Sequence, residues 1–542
     1  MTGAGANYLF GVYSEEIKSS LGYDQTTINL IGFFKDLGSN VGILSGLVAE
    51  LTPTWFVLLL GSLLNFGGYF MIWLAVTDRI SKPKVWQMCL YICIGANSQN
   101  FSNTGALMTS VSNFPENRGV VLGLLKGFAG LSGAIMTQIY LAVYGNDSES
   151  LILLIAWLPA AISVVFVYTI RTMNLERQPN ELRIFYHFLY VSIFLALFIM
   201  GMTIAQNLVT FSQTAYAASA SVVIFLLFVP LFISIKEELN IWDRNNQQSI
   251  MLHHHESTNL SRSIEIENAK SEVKTSIFAN VFLNKPERGE DYSILQALLS
   301  TDMLVLFIST FCGLGTSLTA VDNLGQIGES LGYPEKTIKS FVSLLSIWNF
   351  FGRIFAGSVS EILLVKYKFP RPLMLSLVLF LSCIGLLMIA FPIDGSLYIS
   401  SVIIGFSFGA QMPLIFAIIS ELFGLKHYST LFNWGLLASP LGSYVLNVKV
   451  TGPLYDREAL KELAKKGQTR AAVEELVCMG SHCYMLSFII LACVCCVGGL
   501  ASLILVVRTR EFYNVDIYKK FREEGQVSVS LPENRSLLSD QL

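Results

Sequence analysis

The chain has 542 residues, of which 53% are hydrophobic and only 14% are charged, and its net charge is −3. A water-soluble protein of this length needs more charge to cover its surface, so the composition excludes that class. The net charge is slightly negative and most basic residues lie outside the apolar runs, so nothing indicates a nucleic-acid-binding surface. Apolar runs of about 20 residues recur along the chain, and such a run spans the ~30 Å hydrocarbon layer of a bilayer. The sequence therefore predicts an all-α, multi-pass membrane protein.

The apolar runs predict helices in chain order at 27–50, 54–76, 84–110, 118–142, 150–171, 187–207, 216–236, 298–321, 338–364, 373–392, 397–422, 428–449 and 482–507. A further apolar stub at 2–13 is too short to span a bilayer. Polar residues concentrate at 237–297, 450–481 and 508–542. The first of these segments is rich in Ser, Asn and charged residues, which is typical of a disordered linker.

An internal repeat organises these helices. Ser20-Leu21-Gly22-Tyr23 recurs as Ser330-Leu331-Gly332-Tyr333, at an offset of 310 residues, and Gly42 matches Gly352 in the same register. One register across several helices predicts two homologous halves of six helices, related by a parallel repeat as in the major facilitator fold. The counterpart of the helix at 298 would begin before Met1, so the first helix is expected to be truncated at the N-terminus.

The repeat divides the chain into five predicted regions. These are an N-terminal six-helix half with an incomplete first helix (1–171), two linker helices (172–236), a cytosolic disordered linker (237–297), a C-terminal six-helix half (298–507) and a cytosolic tail (508–542).

Orientation follows from the basic residues in short loops, such as Arg171, Lys366 and Arg508, which all fall on one side. The positive-inside rule assigns that side to the cytoplasm. The opposite side then holds the glycosylation sequon at Asn146 and the segment 450–481. Cys478 and Cys483 flank that segment, and we expect a disulfide there if it faces an oxidising compartment.

The predicted helix at 84–110 carries an unbroken polar stretch from Asn97 to Thr104. A helix that is polar on every side cannot face lipid, and the first and fourth helices of each half line the cavity of a major facilitator fold. Asn97, Gln99, Asn100 and Asn103 are therefore predicted to face a solute. The alternative is hydrogen bonding between helices, at ~0.5–2 kcal/mol per contact. Further candidates in the second half are Thr316, Thr319, Asp322, Asn323, Ser407 and Gln411.

Charged groups inside a bilayer are costly unless they have a partner or a function. Lys126 lies in a glycine-rich helix, and it could bind an anion or pair with Asp36. Arg353 suits a carboxylate or phosphate, although a packing or gating salt bridge is an equal alternative. Glu50 and Glu361 occupy matching positions in the repeat, at predicted cytoplasmic helix ends, and are predicted to gate the cavity together with Asp36 and Asp322.

Nothing in the chain indicates an enzyme, since no nucleophile motif, phosphate loop or metal-ligand spacing occurs. The three histidines at 253–255 have no companion ligands, so neither a metal nor a cofactor is predicted.

Several segments resemble the plant nodulin-like major facilitator family, namely Ala6–Tyr13, Gly32–Gly38, Asn117–Gly127, Asp322–Gly328 and Lys366–Pro372. The resemblance covers essentially the whole chain and implies a transporter fold. More distantly, 118–133 and the helix of Arg353 resemble monocarboxylate and oxalate:formate carriers. Monocarboxylate carriers place an Asp four residues before this Arg for proton handling, whereas this chain has Asn349. The resemblance therefore implies an anion-binding arginine without its usual proton-carrying acid.

The sequence thus favours a monomeric secondary transporter of a small solute, an organic anion such as a carboxylate, that works by alternating access. Its partners would be the solute, the lipid bilayer and, if another acid replaces the missing Asp, a co-transported proton. The alternative is a membrane regulator that retains a transporter fold and acts in development or defence signalling. A dileucine-like stretch at 533–538 favours endomembrane sorting, but the choice between plasma membrane and endomembrane stays open.

Overall fold

The structure is a computed structural model that describes residues 10–23, 25–145, 148–172, 181–209, 211–253, 286–465, 478–515 and 517. Every regular element within these residues is a helix. Three features of the sequence lie outside the described residues: the sequon at Asn146, the histidines at 254 and 255, and the dileucine-like stretch at 533–538.

The first half contains seven helical segments, because one predicted membrane helix is broken. They are α1 (Phe10–Leu21), α2 (Gln25–Asn40), α3 (Ile43–Leu51), α4 (Thr54–Val76), α5 (Val85–Asn113), α6 (Arg118–Tyr144) and α7 (Ser148–Val165). Their buried faces form a cluster around Tyr13, Tyr69, Ile92 and Ile155.

Two peripheral helices follow, α8 (Glu181–Leu208) and α9 (Gln213–His253). Only 28% of the most apolar stretch of α8, and 17% of that of α9, is buried inside the protein, so most of their apolar surface is left for lipid. Helix α9 continues to His253, past the predicted end at 236, so the first part of the predicted disordered linker is helical. The residues that extend it include the helix formers Lys236, Glu237, Glu238 and Leu239.

The second half repeats the plan of the first, with one membrane helix again divided. Its segments are α10 (Ile294–Leu298), α11 (Thr301–Ser330), α12 (Glu335–Tyr367), α13 (Arg371–Ala390), α14 (Ser396–Phe423), α15 (Tyr428–Leu436), α16 (Ala438–Ser443), a π-helix (Tyr444–Thr451), α17 (Gly452–Lys465) and α18 (His482–Asn514). The predicted loop at 450–481 therefore begins with a helix, and the predicted disulfide between Cys478 and Cys483 is present.

Eight of the described helices are long and apolar enough to cross a membrane. Two further long helices carry polar groups: α5 has the polar residues Asn97–Asn103, and α12 has the charged residues Arg353 and Glu361. Both helices hold residues that were predicted to bind the solute.

The halves meet along α6 and α12, along α6 and α14, and where α3 packs on α15. Small residues make the first contact close, since a Cβ added to Gly357 would lie 2.7 Å from the Cα of Gly123. These contacts run from the middle of the bundle to the ends of α3 and α12, which form the predicted cytoplasmic end. This end of the molecule is closed.

Candidate functional site

A cavity of about 340 Å³ lies between the two halves. At ~30 Å³ for each water, this equals the volume of roughly eleven water molecules, which suits a small solute. Its described lining includes seven of the predicted residues, namely Asp36, Gln99, Asn100, Asn103, Lys126, Asp322 and Arg353. Residues from eight of the described helices, three in the first half and five in the second, therefore converge on one space.

Two buried cations form one wall of this cavity. Lys126 on α6 is 7% exposed and Arg353 on α12 is 3% exposed. The Arg353 guanidinium donates from Nη1 to the backbone oxygen of Lys126 across the interface, at 2.7 Å. The Lys126 ammonium lies 4.6 Å from the centre of the Phe416 ring, a cation–π contact.

Lys126 therefore does not pair with Asp36, which was the alternative to anion binding that the sequence left open. Among the described residues, no carboxylate forms an ion pair with Lys126. Its charge instead faces the cavity and one aromatic ring.

A neutral amide holds the arginine in place. Asn349 lies one turn before Arg353 on α12, and its Oδ1 accepts a hydrogen bond from Nε at 3.0 Å. A carboxylate at this position would neutralise the guanidinium through a charge-assisted bond, whereas the amide orients it and leaves its charge in place. Asparagine at position 349, where monocarboxylate carriers have an aspartate, therefore keeps the cavity wall positive.

The acidic residues of the cavity are more exposed than its cations. Asp36 forms an ion pair with the adjacent Lys35 at 2.8 Å, with 57% of the Asp36 side chain exposed. Asp322 is also exposed, and its Oδ2 accepts a hydrogen bond from Asn447 on the π-helix at 3.3 Å.

Two of the predicted solute ligands, Asn97 and Asn100, form hydrogen bonds with the backbone at the break between α2 and α3. Residues at the end of a helix have carbonyl groups without helical partners, which need other donors in a membrane. Asn97 donates to the carbonyls of Gly38 and Val41, each at 2.8 Å, and does not line the cavity. Asn100 donates to Gly38 at 3.0 Å while also lining the cavity. The structure therefore does not bring Asn97 to the cavity and shows it in the alternative arrangement, hydrogen bonding between helices.

Asn103 faces the cavity with unused hydrogen-bonding capacity. Its Oδ1 is buried and accepts no hydrogen bond from the described residues. A buried polar atom without a partner costs about 1–3 kcal/mol, so a solute that donates to it would relieve this cost.

Gln411 also fails to reach the cavity. It is fully buried on α14, and its Nε2 donates to Ser407 within the helix and to Ser317 on α11. The backbone at Gly313 packs closely against this side chain. Gln411 therefore joins α14 to α11, and the structure does not bring it to the cavity.

Glu50 and Glu361 lie at the closed end and make matching contacts across the interface. Glu361 accepts from the backbone N–H of Gly119 in the first turn of α6, at 2.7 Å. Glu50 accepts from the N–H of Thr430 in the first turn of α15, at 3.3 Å. A carboxylate at a helix N-terminus is favoured by the unpaired N–H groups and the helix dipole. Each glutamate thus binds the start of a helix in the other half, as expected of residues that hold this end shut.

Three residues of this closed end were not singled out as site residues by the sequence. Arg371 is fully buried and binds both Glu361 at 2.7 Å and Glu421 at 2.6 Å. His427 lies 2.8 Å from Glu50. A buried arginine among acidic residues becomes recognisable only when the helix ends are brought together.

Comparison with known proteins gives matches to both halves of the chain. The family described as Nodulin-like matches residues 1–235, and the family described as NFD4, C-terminal domain, matches residues 290–515. The chain is thus similar to nodulin-like proteins over most of its length. The nodulin-like chain is 25% identical over 522 residues to Protein NUCLEAR FUSION DEFECTIVE 4 of Arabidopsis thaliana, with 94% of this chain and 87% of that protein covered. It is also 26% identical over 234 residues to Probable transporter MCH1 of Yarrowia lipolytica, with 41% of this chain and 46% of that protein covered.

Solved structures establish the fold of the nodulin-like chain. The major facilitator superfamily proton:xylose symporter XylE has a TM-score of 0.51 and 12% identity, and the match covers 93% of this chain and 94% of that one. The predicted major facilitator fold is therefore confirmed. The nodulin-like chain is an integral, multi-pass membrane protein.

Proposed function

We propose that this nodulin-like protein is a secondary transporter of a small organic anion, such as a carboxylate, and that Arg353 and Lys126 bind the negative charge. The observation that carries this proposal is the cavity wall formed by two buried cations from opposite halves. Because one cation belongs to each half, an anion between them would be released when the halves move apart on that side.

The chemistry of the wall favours a carboxylate over a neutral solute. A planar guanidinium donates two parallel hydrogen bonds to a carboxylate, and the ammonium adds a point charge. Without an anion, Lys126 holds a buried charge that is balanced by no ion pair among the described residues, which is unfavourable in a membrane. Amide groups of Gln99, Asn100 and Asn103 supply neutral hydrogen-bonding partners for the rest of the solute.

The co-transported proton is a separate part of the proposal. The acids that face the cavity among the described residues are Asp36 and Asp322, and both are exposed. Monocarboxylate carriers have an acid four residues before this arginine, whereas this chain has the amide of Asn349 at that position. A coupled proton would therefore use Asp36 or Asp322, near the mouth of the cavity.

Uptake of radiolabelled carboxylates by proteoliposomes tests the proposal. Hydrogen bonds to a charged group contribute about 1.5–3 kcal/mol, so Arg353→Ala is expected to lower uptake at low solute concentration at least tenfold. Lys126→Met should lower it as well, whereas Arg353→Lys and Lys126→Arg, which keep the charge, should lose less. Elution of each variant as a single folded species in detergent is the control. Carboxylate uptake that all four variants leave unchanged would overturn the proposal.

A further inference from the structure

A second candidate site lies far from the cavity, where α17 meets the start of α18. The two helices are held together by contacts between their side chains and the backbone that precedes α18. The Tyr455 and Tyr484 rings lie 5.0 Å apart, and the N–H of Cys478 donates to the Tyr455 hydroxyl at 3.1 Å. The N–H of Met479 donates to Glu462 at 2.9 Å. This junction is therefore built from several independent contacts.

Four metal-ligating side chains converge at this junction. Glu462 on α17 and Cys478, His482 and Cys483 beside it each offer one ligand atom, and all four atoms lie within 4.8 Å of one another. Both cysteines are buried, whereas His482 is exposed and leaves the cluster open to solvent. Two sulfurs, one imidazole and one carboxylate make up a ligand set that suits tetrahedral Zn²⁺.

The disulfide decides whether this ligand set is available. Cys478 and Cys483 are bonded to each other in the structure, and a metal requires thiolates. The Sγ of Cys478 lies 4.0 Å from Nε2 of His482, so the imidazole already stands beside one sulfur. The same four residues can therefore be a closed disulfide or an open metal site, but not both at once.

We propose that Glu462, Cys478, His482 and Cys483 form a zinc site that the Cys478–Cys483 disulfide closes and that reduction opens. A dithiol reductant supplies two electrons and two protons, which leave two thiols on the chain and a disulfide on the reductant. Each thiol releases its proton to solvent as it binds Zn²⁺, so metal binding weakens as the pH falls.

The site would join two helices that the disulfide does not join. The disulfide links Cys478, in the segment before α18, to Cys483 in the first turn of α18, whereas Zn²⁺ would also hold Glu462 on α17. Helix α17 continues from the π-helix, where Asn447 hydrogen-bonds Asp322 of the cavity. Reduction followed by zinc binding would thus replace the disulfide with a metal-mediated link between α17 and α18.

Zinc binding to the purified full-length protein tests this proposal. Oxidised and reduced protein, freed of reductant, are titrated with Zn²⁺ against a chromophoric chelator, and with Co²⁺ as a spectroscopic probe of thiolate ligands. Reduced protein is expected to bind one ion more than the oxidised protein does. The Cys478→Ser/Cys483→Ser variant should lack this ion, and His482→Ala should weaken its binding at least about tenfold.

The other cysteines of the chain make a matched control necessary. Cys493→Ser removes an exposed thiol on α18 outside the cluster, and this variant should bind zinc as the unchanged protein does. His482→Ala and Glu462→Gln leave both cysteines in place, so they test the site even if the double variant misfolds. Equal binding by oxidised and reduced protein, or binding that survives both of these single substitutions, would overturn the proposal.

Discussion

The residue that most changes the expected chemistry of the cavity is Asn349. It accepts a hydrogen bond from Arg353 at 3.0 Å without adding negative charge. Asn349→Asp would place a carboxylate at that position, where it would compete with a solute anion for the guanidinium. We expect anion uptake at neutral pH to fall about tenfold, the effect of ~1.4 kcal/mol, and to recover as acidification neutralises the added acid.

The control for this prediction is Asn349→Ala, which removes the amide without adding charge. Its uptake should show no new dependence on pH, even if the loss of the hydrogen bond weakens the solute site. The measurement is initial uptake by proteoliposomes over a range of external pH. A flat pH profile for Asn349→Asp would show that this position does not influence the bound anion.

Single residues also mark the limit of inference from sequence. The polar stretch on α5 was recognised because no helix can expose it to lipid, and Gln99, Asn100 and Asn103 do line the cavity. Asn97 has the same chemistry, but it points at the broken backbone near Val41. The break falls at Gly38-Ser-Asn-Val-Gly42, where glycine and polar residues favour an interruption, although the whole segment 27–50 was predicted as one helix. The role of Asn97 was missed because it depends on that break.

At the scale of elements, long helices were predicted well and irregular helices were not. The runs at 54–76 and 373–392 match α4 and α13 closely, since uninterrupted apolar residues define both ends. The run at 428–449 is divided into α15, α16 and a π-helix. Pro440 lies within this region and cannot donate a helical hydrogen bond, which favours an interruption. Hydropathy measures length, but it does not report where a helix changes its hydrogen bonding.

The contact between α6 and α12 depends on glycine. A Cβ at Gly357 would lie 2.7 Å from the Cα of Gly123, so Gly357→Ala must separate the two helices. Overpacking of this kind typically costs about 1–3 kcal/mol, and we expect a lower unfolding temperature in detergent.

Gly67 on α4 is the matched control, because an added Cβ would have no neighbour within 4 Å. Alanine is a better helix former than glycine, so Gly67→Ala should leave the protein equally stable or stabilise it by up to ~1 kcal/mol. Equal shifts in unfolding temperature for Gly357→Ala and Gly67→Ala would contradict the proposed close contact.

At the scale of the whole molecule, the repeat explains why the closed end is symmetric. Glu50 and Glu361 occupy matching positions, and each accepts hydrogen bonds from the first turn of a helix in the other half. Ser346 and Asp36 line the cavity roughly 20 Å from these glutamates along their own membrane helices, at ~1.5 Å per residue. The repeat that predicted two halves, shifted here by one residue, thus also relates the contacts at the closed end of the cavity.

If these contacts hold the end near Glu50 and Glu361 closed, weakening them should change how often the cavity opens to each side of the membrane. Glu50→Gln/Glu361→Gln would weaken both carboxylate contacts, and a loss of 1 kcal/mol shifts an equilibrium about fivefold. We expect the closed end to open and the opposite end to close more often. A Ser346→Cys reporter in the cavity should then react more slowly with a membrane-impermeant maleimide added on the side opposite Glu50, in sealed vesicles.

The matched control is Glu458→Gln, which breaks a surface ion pair with Lys461 on α17. Exposed pairs of this kind contribute little, so labelling of the reporter should not change. Protein without the reporter gives the background from the native cysteines. Faster labelling of the Glu50→Gln/Glu361→Gln variant from the side of Glu50 would be the complementary result, because the cavity can face only one side at a time in alternating access. If both rates stayed at the unchanged protein's values, the two glutamates would stabilise the fold without controlling which way the cavity opens.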